Sequence, residues 1–381
     1  MLNNLGSIFE FLNEMRESGI SEKDIQKRVL AFLQEKAKET NTPYSGHFEL
    51  TPLCNLNCKM CYVHLDGEQM RSKRLLKQDE WQDIMQQAID SGMAKATLSG
   101  GECLTYPWFD EVFLFLKSRG ISTAVLTNGV LLNDDRIRFF TDHKPRKIQI
   151  SLYGSSDDVY EKVTGVRAFS TVMDNLVKAK AANLPLKISI TPSRYLFEDI
   201  RNVISLVKDL DIPYAINMGL MTPRPETGRD GISHDISIDD YIELIKYNRS
   251  VNNLVPVPRE TKPLPDNRDD AYTEGLQKCA AGRSTFAINW EGIMNPCAQM
   301  INVAANPLRD GFLNAWRTIN SGVRTYPRFK ECDECEYSHV CDFCPAENER
   351  LGSRYQLNRM WCERTWKMVE NGLRIPDPQC D

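Results

Sequence analysis

Between residues 47 and 250, the chain alternates short runs rich in β-branched residues with longer amphipathic segments. The short runs predict strands at residues 47–51, 95–99, 123–127, 147–152, 186–191 and 213–218. The amphipathic segments predict helices at 78–91, 108–118, 134–141, 169–182 and 198–210, and a sixth at 238–247 capped by Ser237. This alternation indicates an α/β fold with parallel strands and helices outside. Six repeats indicate a partial (β/α)6 barrel, similar to a TIM barrel, whose chemistry sits at the carboxyl ends of the strands.

The segments that flank this repeat divide the chain into four regions. Residues 1–43 predict helices, because Ser21 and Asp24 resemble a capping box and Ile25, Val29 and Leu33 follow at helical spacing. They either pack on the main domain or form part of a peptide-docking surface. Four prolines among charges between residues 256 and 265 indicate a linker. We therefore expect a helical segment at 1–43, the barrel at 44–250, a linker at 251–278 and a cysteine-rich domain at 279–381.

Composition narrows the class of protein. The 381 residues are 41% hydrophobic and carry a net charge of −5, which gives no reason to expect nucleic acid or an anionic membrane as partner. No apolar run approaches about 20 residues, and Glu10, Glu14 and Glu17 interrupt any signal-peptide core. We expect a cytoplasmic location, where the twelve cysteines stay reduced and serve as metal ligands rather than disulfides.

Three of these cysteines, Cys54, Cys58 and Cys61, stand at the spacing C-x3-C-x2-C just after the first predicted strand. Three thiolates can hold three irons of a cubic iron–sulfur cluster and leave the fourth iron open to another ligand. The alternatives are a zinc site or scattered buried thiols. Zinc usually takes four ligands arranged in C-x2-C pairs, and this compact run of three suits it poorly.

Polar and glycine-containing turns follow the next predicted strands. They are Ser99-Gly-Gly-Glu102, Thr127-Asn-Gly129 and Ser151-Leu-Tyr-Gly154, with Thr191 and Asn217 as weaker candidates. Glycines let a backbone approach a ligand closely, and Glu102 is a suitable acceptor for an ammonium group. Each turn taken alone is also compatible with ordinary turn chemistry.

A second cysteine array occupies the C-terminal region. Cys279 is followed by Gly292 and Cys297, and then come Cys332, Cys335, Cys341, Cys344 and Cys362. A zinc ribbon would use two C-x2-C pairs, but seven cysteines do not divide into tetrahedral sets of four. The array therefore favours further iron–sulfur clusters.

The cysteine loop and the strand-end turns resemble the radical S-adenosylmethionine (SAM) family, and the C-terminal array resembles its SPASM extension, with one residue fewer before Cys344. The resemblance implies that SAM binds the open iron and is cleaved to a 5′-deoxyadenosyl radical, which removes hydrogen from a substrate. It implies SAM and three [4Fe–4S] clusters as cofactors. The implied SAM-binding residues are Met60, Gly100, Gly101, Glu102, Asn128, Ser151 and Thr191. The implied ligand sets are Cys54, Cys58 and Cys61 for the first cluster, Cys279, Cys297 and Cys344 for one auxiliary cluster, and Cys332, Cys335, Cys341 and Cys362 for the other.

Relatives with this architecture mostly modify peptides or proteins, so the resemblance implies such a substrate and an electron donor such as flavodoxin or ferredoxin. The open position at the three-cysteine auxiliary cluster favours a cysteine-containing, ribosomally made peptide, as in thioether-forming maturases. Formylglycine formation, as in anaerobic sulfatase maturases, is an alternative, which Tyr153 weakens because many relatives have Asp there. A non-catalytic metal-binding module is an alternative of another class.

Two cysteines stand outside these sets. Cys103 directly follows Glu102, and it is either a hydrogen-atom donor, the one weak candidate for a catalytic group, or a small buried residue. Cys380 is either a tail thiol or the missing fourth ligand of the three-cysteine auxiliary cluster. His64, near the first cysteine loop, is expected to be structural.

Overall fold

The structure is a computed structural model that describes residues 16–19, 21–71, 73–217, 221–229, 235–254, 279–327 and 329–373. Its strands are β1 (Ser45–Glu49), β2 (Lys95–Ser99), β3 (Ser122–Thr127), β4 (Lys147–Ser151), β5 (Leu186–Ile190), β6 (Tyr214–Ile216), β7 (Thr285–Ile288) and β8 (Met294–Asn295). They form one sheet in the order β6-β5-β4-β3-β2-β1-β7-β8. All neighbouring pairs from β6 to β7 are parallel, and β8 joins β7 in antiparallel orientation.

The helices of the main domain are α1 (Glu22–Glu39), α2 (Gln78–Asp90), α3 (Phe109–Ser118), α4 (Asp134–Asp142), α5 (Asp157–Thr164), α6 (Phe169–Ala181), α7 (Ile200–Asp209) and α8 (Ile238–Val251). The C-terminal region adds α9 (Pro307–Asp310), α10 (Phe312–Arg324), α11 (Lys330–Asp333), α12 (Pro345–Leu351) and α13 (Met360–Glu370). None of the described helices combines the length and apolarity that a membrane-spanning segment requires.

The two faces of the sheet differ in polarity. Phe48 in β1 is fully buried on the helix side, where its ring meets those of Trp81 and Phe286 edge to face. On the opposite face, His47 pairs in register with Thr97, and Gln149 with Lys187, and all four are only half-buried. A parallel sheet covered by helices on both sides is apolar on both. Since one face here is polar, that face lines the interior of an open barrel.

The six strands and the six helices predicted from the pattern are confirmed, although their ends move by a few residues and residue 218 lies outside the described part. Helix α5 was not predicted. The position of β7 was also not predicted: it pairs in parallel with β1 and so extends the barrel sheet with a strand from the C-terminal region. The first part of the N-terminal segment and most of the expected linker lie outside the described residues.

Candidate functional site

The three cysteines of the first motif come together in the loop that follows β1. Cys58 is buried, and burial raises the pKa of its thiol well above the usual range, with the nearby Cys61 and Cys54 adding to the effect. Burial likewise raises the pKa of Cys54 to about 12. Thiols that resist ionisation in this way become thiolates when a metal neutralises them, which fits an iron–sulfur cluster.

Hydrogen-bond donors already point at these sulfurs. The backbone N–H of Leu56 donates to Cys54 Sγ at 3.4 Å, and that of His64 donates to Cys61 Sγ at 3.3 Å. Donors to the sulfurs are a common feature of protein iron–sulfur sites. The loop thus offers both the ligand set and the polar surroundings that a cluster needs. The His64 ring nitrogen Nδ1 lies 3.2 Å from Arg229 Nη2.

The two glycines of the second motif pack against the cysteine loop. A Cβ atom at Gly100 would lie 2.3 Å from the carbonyl oxygen of Thr51, and one at Gly101 would lie 2.4 Å from that of Leu53. The Gly101 N–H donates to Thr51 O at 2.6 Å, and the Glu102 N–H donates to Leu53 O at 2.9 Å. Only glycine lets the end of β2 approach the cysteine loop this closely.

The Glu102 carboxylate is fully buried and joins the ends of β2 and β3. Its Oε1 accepts from Thr127 Oγ1 at 2.8 Å and from the Leu104 N–H at 3.0 Å, while its Oε2 accepts from the Asn128 N–H at 2.7 Å. Burial raises the pKa of Glu102, and these hydrogen bonds oppose the rise. A carboxylate offers about four acceptor positions, so Oε2 retains one for an ammonium group.

We expect Glu102→Gln to lower SAM affinity roughly ten- to a hundredfold, because a hydrogen bond to a charged group contributes about 1.5–3 kcal/mol. The amide has one acceptor oxygen in place of two, so one backbone or hydroxyl donor also loses its partner. Equilibrium SAM binding measures the effect, and Glu111→Gln, on the exposed surface of α3, is the matched control. Equal affinities of the wild type and Glu102→Gln would limit Glu102 to holding the turn.

The next strand ends also reach the cysteine loop. Asn128 Nδ2 donates to Asn55 Oδ1 at 2.7 Å and approaches Cys54 Sγ at 3.6 Å. Burial raises the pKa of Tyr153 well above the usual range, the Cys58 thiol adds to the rise, and Ser151 opposes it. The Tyr that replaces the Asp of many relatives therefore lies near the first cysteine set.

The remaining predicted cofactor residues lie around the same edge of the sheet. Met60 is 7% exposed and belongs to the main hydrophobic core, so its side chain packs against protein. Thr191 follows β5 and is half-buried. Sequence reasoning missed Ser193, two residues further, whose fully buried hydroxyl has no hydrogen-bond partner among the described residues. A polar residue just after a strand end was the available signal.

Cys103 is fully buried in the main core, and its Sγ–H donates to the Leu126 carbonyl oxygen at 3.1 Å. Burial raises the pKa of this thiol well above the usual range. These contacts favour the packing role over hydrogen-atom donation.

A buried ion pair next to the cysteine loop was not predicted. Arg224 Nη2 donates to both oxygens of Glu49, at 3.0 and 2.7 Å, and both side chains are almost fully buried. Tyr62 Oη donates to Glu49 Oε1 at 2.9 Å, and the Arg224 N–H donates to Tyr62 O at 3.0 Å. Arg224 also donates to Ala298 O at 3.0 Å. The pair thus connects the residue after Cys61 with the residue after Cys297.

The C-terminal cysteines form two groups. The inner set is Cys279, Cys297 and Cys344, and Cys297 and Cys344 pack against the main core. Burial raises the pKa of Cys297 to about 12 and that of Cys344 to about 11, and the inner thiols act on one another. The outer set is Cys332, Cys335, Cys341 and Cys362, which line a cavity of about 630 Å³. Burial raises the pKa of Cys332 to about 11, and the three other outer thiols add to the rise.

The fold therefore groups these ten cysteines into three sets, and their role as cluster ligands stays a prediction. Within the described residues, no three His, Cys, Asp or Glu side chains are grouped as a single metal ion would need. That finding concerns single-ion sites such as zinc, since the sulfur ligands of a cubic cluster stand further apart. Cys380 lies outside the described residues.

Comparison with known proteins agrees with this geometry. Residues 48–207 match the Radical SAM superfamily. The AdoMet-dependent heme synthase of Methanosarcina barkeri is 24% identical over 346 residues, which cover 85% of this chain and 97% of that protein. The antilisterial bacteriocin subtilosin biosynthesis protein AlbA of Bacillus subtilis is 22% identical, covering 81% and 68%. The structure of Streptococcus suis SuiB bound to SAM superposes with a TM-score of 0.67 at 16% identity, covering 94% and 88%.

These findings show a radical SAM domain at residues 48–207. A domain of this superfamily indicates an enzyme that uses SAM and an iron–sulfur cluster, and the likeness to SuiB shows a shared fold.

Proposed function

We propose that this enzyme modifies a peptide or protein substrate by SAM-dependent radical chemistry. The observation that carries the proposal is the assembly of ten cysteines into three sets, two of them in the C-terminal region. The relative AlbA supports a peptide substrate through its role in bacteriocin biosynthesis. The polar, half-buried inner face of the barrel supports it too, since Thr97 and Gln149 place polar side chains there.

Cys54, Cys58 and Cys61 would hold the first cluster, with SAM beside it against Gly100, Gly101, Glu102, Asn128, Ser151, Thr191 and the backbone of Met60. Bound there, the two cofactors supply the reductive cleavage of SAM that starts radical chemistry. Glu102 accepts from the Asn128 N–H and so orients Asn128 toward the cysteine loop, and Tyr153 lies near Cys58. Flavodoxin or ferredoxin is the proposed class of electron donor.

The inner and outer sets would each hold an auxiliary cluster. The outer set has four cysteines and is complete, while the inner set has three. As a hypothesis, the fourth position of the inner cluster is open to a substrate thiolate, unless Cys380 occupies it. This open position favours thioether chemistry on a cysteine-containing peptide over formylglycine formation.

We expect Cys380→Ala to retain its iron and its auxiliary-cluster spectrum. A cysteine-containing peptide should then perturb that spectrum, because a free thiolate binds an open iron. The same peptide with Ser in place of Cys is the control and should have no effect. Loss of iron in Cys380→Ala, or equal responses to the two peptides, would contradict thiolate binding at the inner cluster.

A second candidate function is the synthesis of heme, because the heme synthase relative matches over 97% of its own length. The two functions differ in which compound stimulates SAM cleavage. Peptide modification predicts that a peptide encoded beside this gene raises the rate of 5′-deoxyadenosine formation above the substrate-free rate. Heme synthesis predicts that an iron-bearing tetrapyrrole precursor does so and that heme absorbance appears.

A further inference from the structure

The outer cysteine set has acidic surroundings. The cavity is lined by Cys332, Cys335, Cys341 and Cys362, by Cys279 of the inner set, and by four carboxylates and one guanidinium, from Glu331, Glu334, Glu336, Glu370 and Arg359. Glu331 lies close enough to Cys332 to disfavour its thiolate, and Arg359 approaches Glu331 at 3.8 Å. Negative charge next to a cluster opposes the addition of an electron.

The inner set has mainly cationic surroundings. Arg350 Nη2 donates to the carbonyl oxygen of Pro223. The Arg350 guanidinium also lies near Cys297, and its positive charge favours the thiolate form of that cysteine. Lys38 and Arg283 lie near Cys279, and one carboxylate, Glu347, lies near Cys344. Of these four side chains, three are cationic and one is anionic, and Lys38 also pairs with Glu35 at 3.6 Å.

Two side chains near Cys297 also carry hydrogen-bonding groups without partners among the described residues. Arg350 Nη1 is buried and has none. Gln299, two residues after Cys297, is only 7% exposed, and neither its amide nitrogen nor its amide oxygen is paired. An unpaired buried donor is costly, and the sulfurs of a bound cluster would accept such N–H groups.

Hydrogen bonds to cluster sulfurs and nearby charge are two of the terms that set cluster potentials. At the inner set, the nearby cations and the unpaired N–H groups both make reduction of a bound cluster easier. At the outer set, the carboxylates make reduction harder. We propose that the inner auxiliary cluster has the higher reduction potential, and that Arg350 is a positioning residue that raises it through its charge and its free N–H.

This inference rests on the proposed pair of auxiliary clusters. An electron shared by the two clusters then resides on the inner one, which is the cluster next to the Arg224–Glu49 pair and the barrel. The outer cluster, at the acidic cavity, is the weaker electron acceptor.

The test is a redox titration monitored by electron paramagnetic resonance. The full-length protein with Cys54, Cys58 and Cys61 changed to Ala shows only the auxiliary signals, and a further Cys335→Ala assigns the outer one. The inner signal should have the higher midpoint. Arg350→Met should lower the inner midpoint by about 59 mV, a tenfold change in the ratio of reduced to oxidised cluster, and leave the outer one unchanged.

Two further variants keep the outcome decisive. Arg359→Met, the matched control, should lower only the outer midpoint. Arg350→Lys keeps the charge and should shift the inner midpoint less than Arg350→Met; it replaces Arg350→Met if that variant fails to load iron. A higher outer midpoint in the parent protein, or an inner midpoint that does not respond to Arg350, overturns the inference. Fewer than about eight irons in the triple-alanine parent would instead overturn the proposed pair of auxiliary clusters.

Discussion

Changing Cys54, Cys58 and Cys61 together to Ala should remove about four of about twelve irons per chain and abolish SAM cleavage. The three thiols lie in one loop, and the described residues of that loop offer no other thiol. The fold should persist, because the loop is held by backbone contacts to Gly101 and Glu102 as well as by the cluster. Iron and sulfide analysis and product chromatography measure the two effects.

The matched control removes a different cluster. Changing Cys332 and Cys335 to Ala should also cost about four irons, but it should leave SAM cleavage without substrate largely intact, because these residues line a cavity to which the first cysteine loop does not contribute. Retained SAM cleavage in the triple variant would contradict the assignment of the first cluster.

Arg224→Met should lower the free energy of unfolding by about 3–5 kcal/mol, because it leaves the Glu49 carboxylate buried without its counter-ion. Glu49 is fully buried at the end of β1, and after the substitution only the Tyr62 hydroxyl still donates to it among the contacts described above. Urea unfolding followed by circular dichroism, in the iron-free protein, measures the change.

Two controls separate the charge effect from the loss of packing. The double variant Glu49→Gln with Arg224→Met should lose less than Arg224→Met alone, since no buried charge is left unpaired. Arg167→Met removes one side of an exposed ion pair with Asp158 and should cost at most about 1 kcal/mol. If Arg224→Met and Arg167→Met cost the same, the buried pair does not stabilise the fold as argued here.

The sequence predicted the parts of this molecule that depend on local chemistry. Strand and helix periodicity is a property of neighbouring residues, so the six barrel repeats could be identified. The cysteine sets could be predicted because closely spaced thiols that stay reduced seldom have a role other than binding a metal. The double glycine stays a predicted SAM-binding turn, and in the structure both glycines approach the backbone of Thr51 and Leu53.

The missed features depend on residues distant in sequence. Glu49 and Arg224 are separated by 175 positions, and the sequence around neither residue predicts a buried ion pair. The pairing of β7 with β1 depends on where the chain returns after the segment at 255–278, which periodicity does not specify. The bonds of Glu102 to Thr127 and Asn128 likewise follow from the adjacency of β2 and β3 in the sheet.

The central claim, that this chain is a radical SAM enzyme, is tested most directly by the products it forms from SAM. The anaerobically reconstituted full-length protein is reduced with dithionite, given SAM, and analysed by liquid chromatography and mass spectrometry. The account predicts 5′-deoxyadenosine and methionine in equal amounts, and neither product from the Cys54, Cys58 and Cys61 triple-alanine variant. Protein that carries its full iron and sulfide but yields no 5′-deoxyadenosine would contradict it.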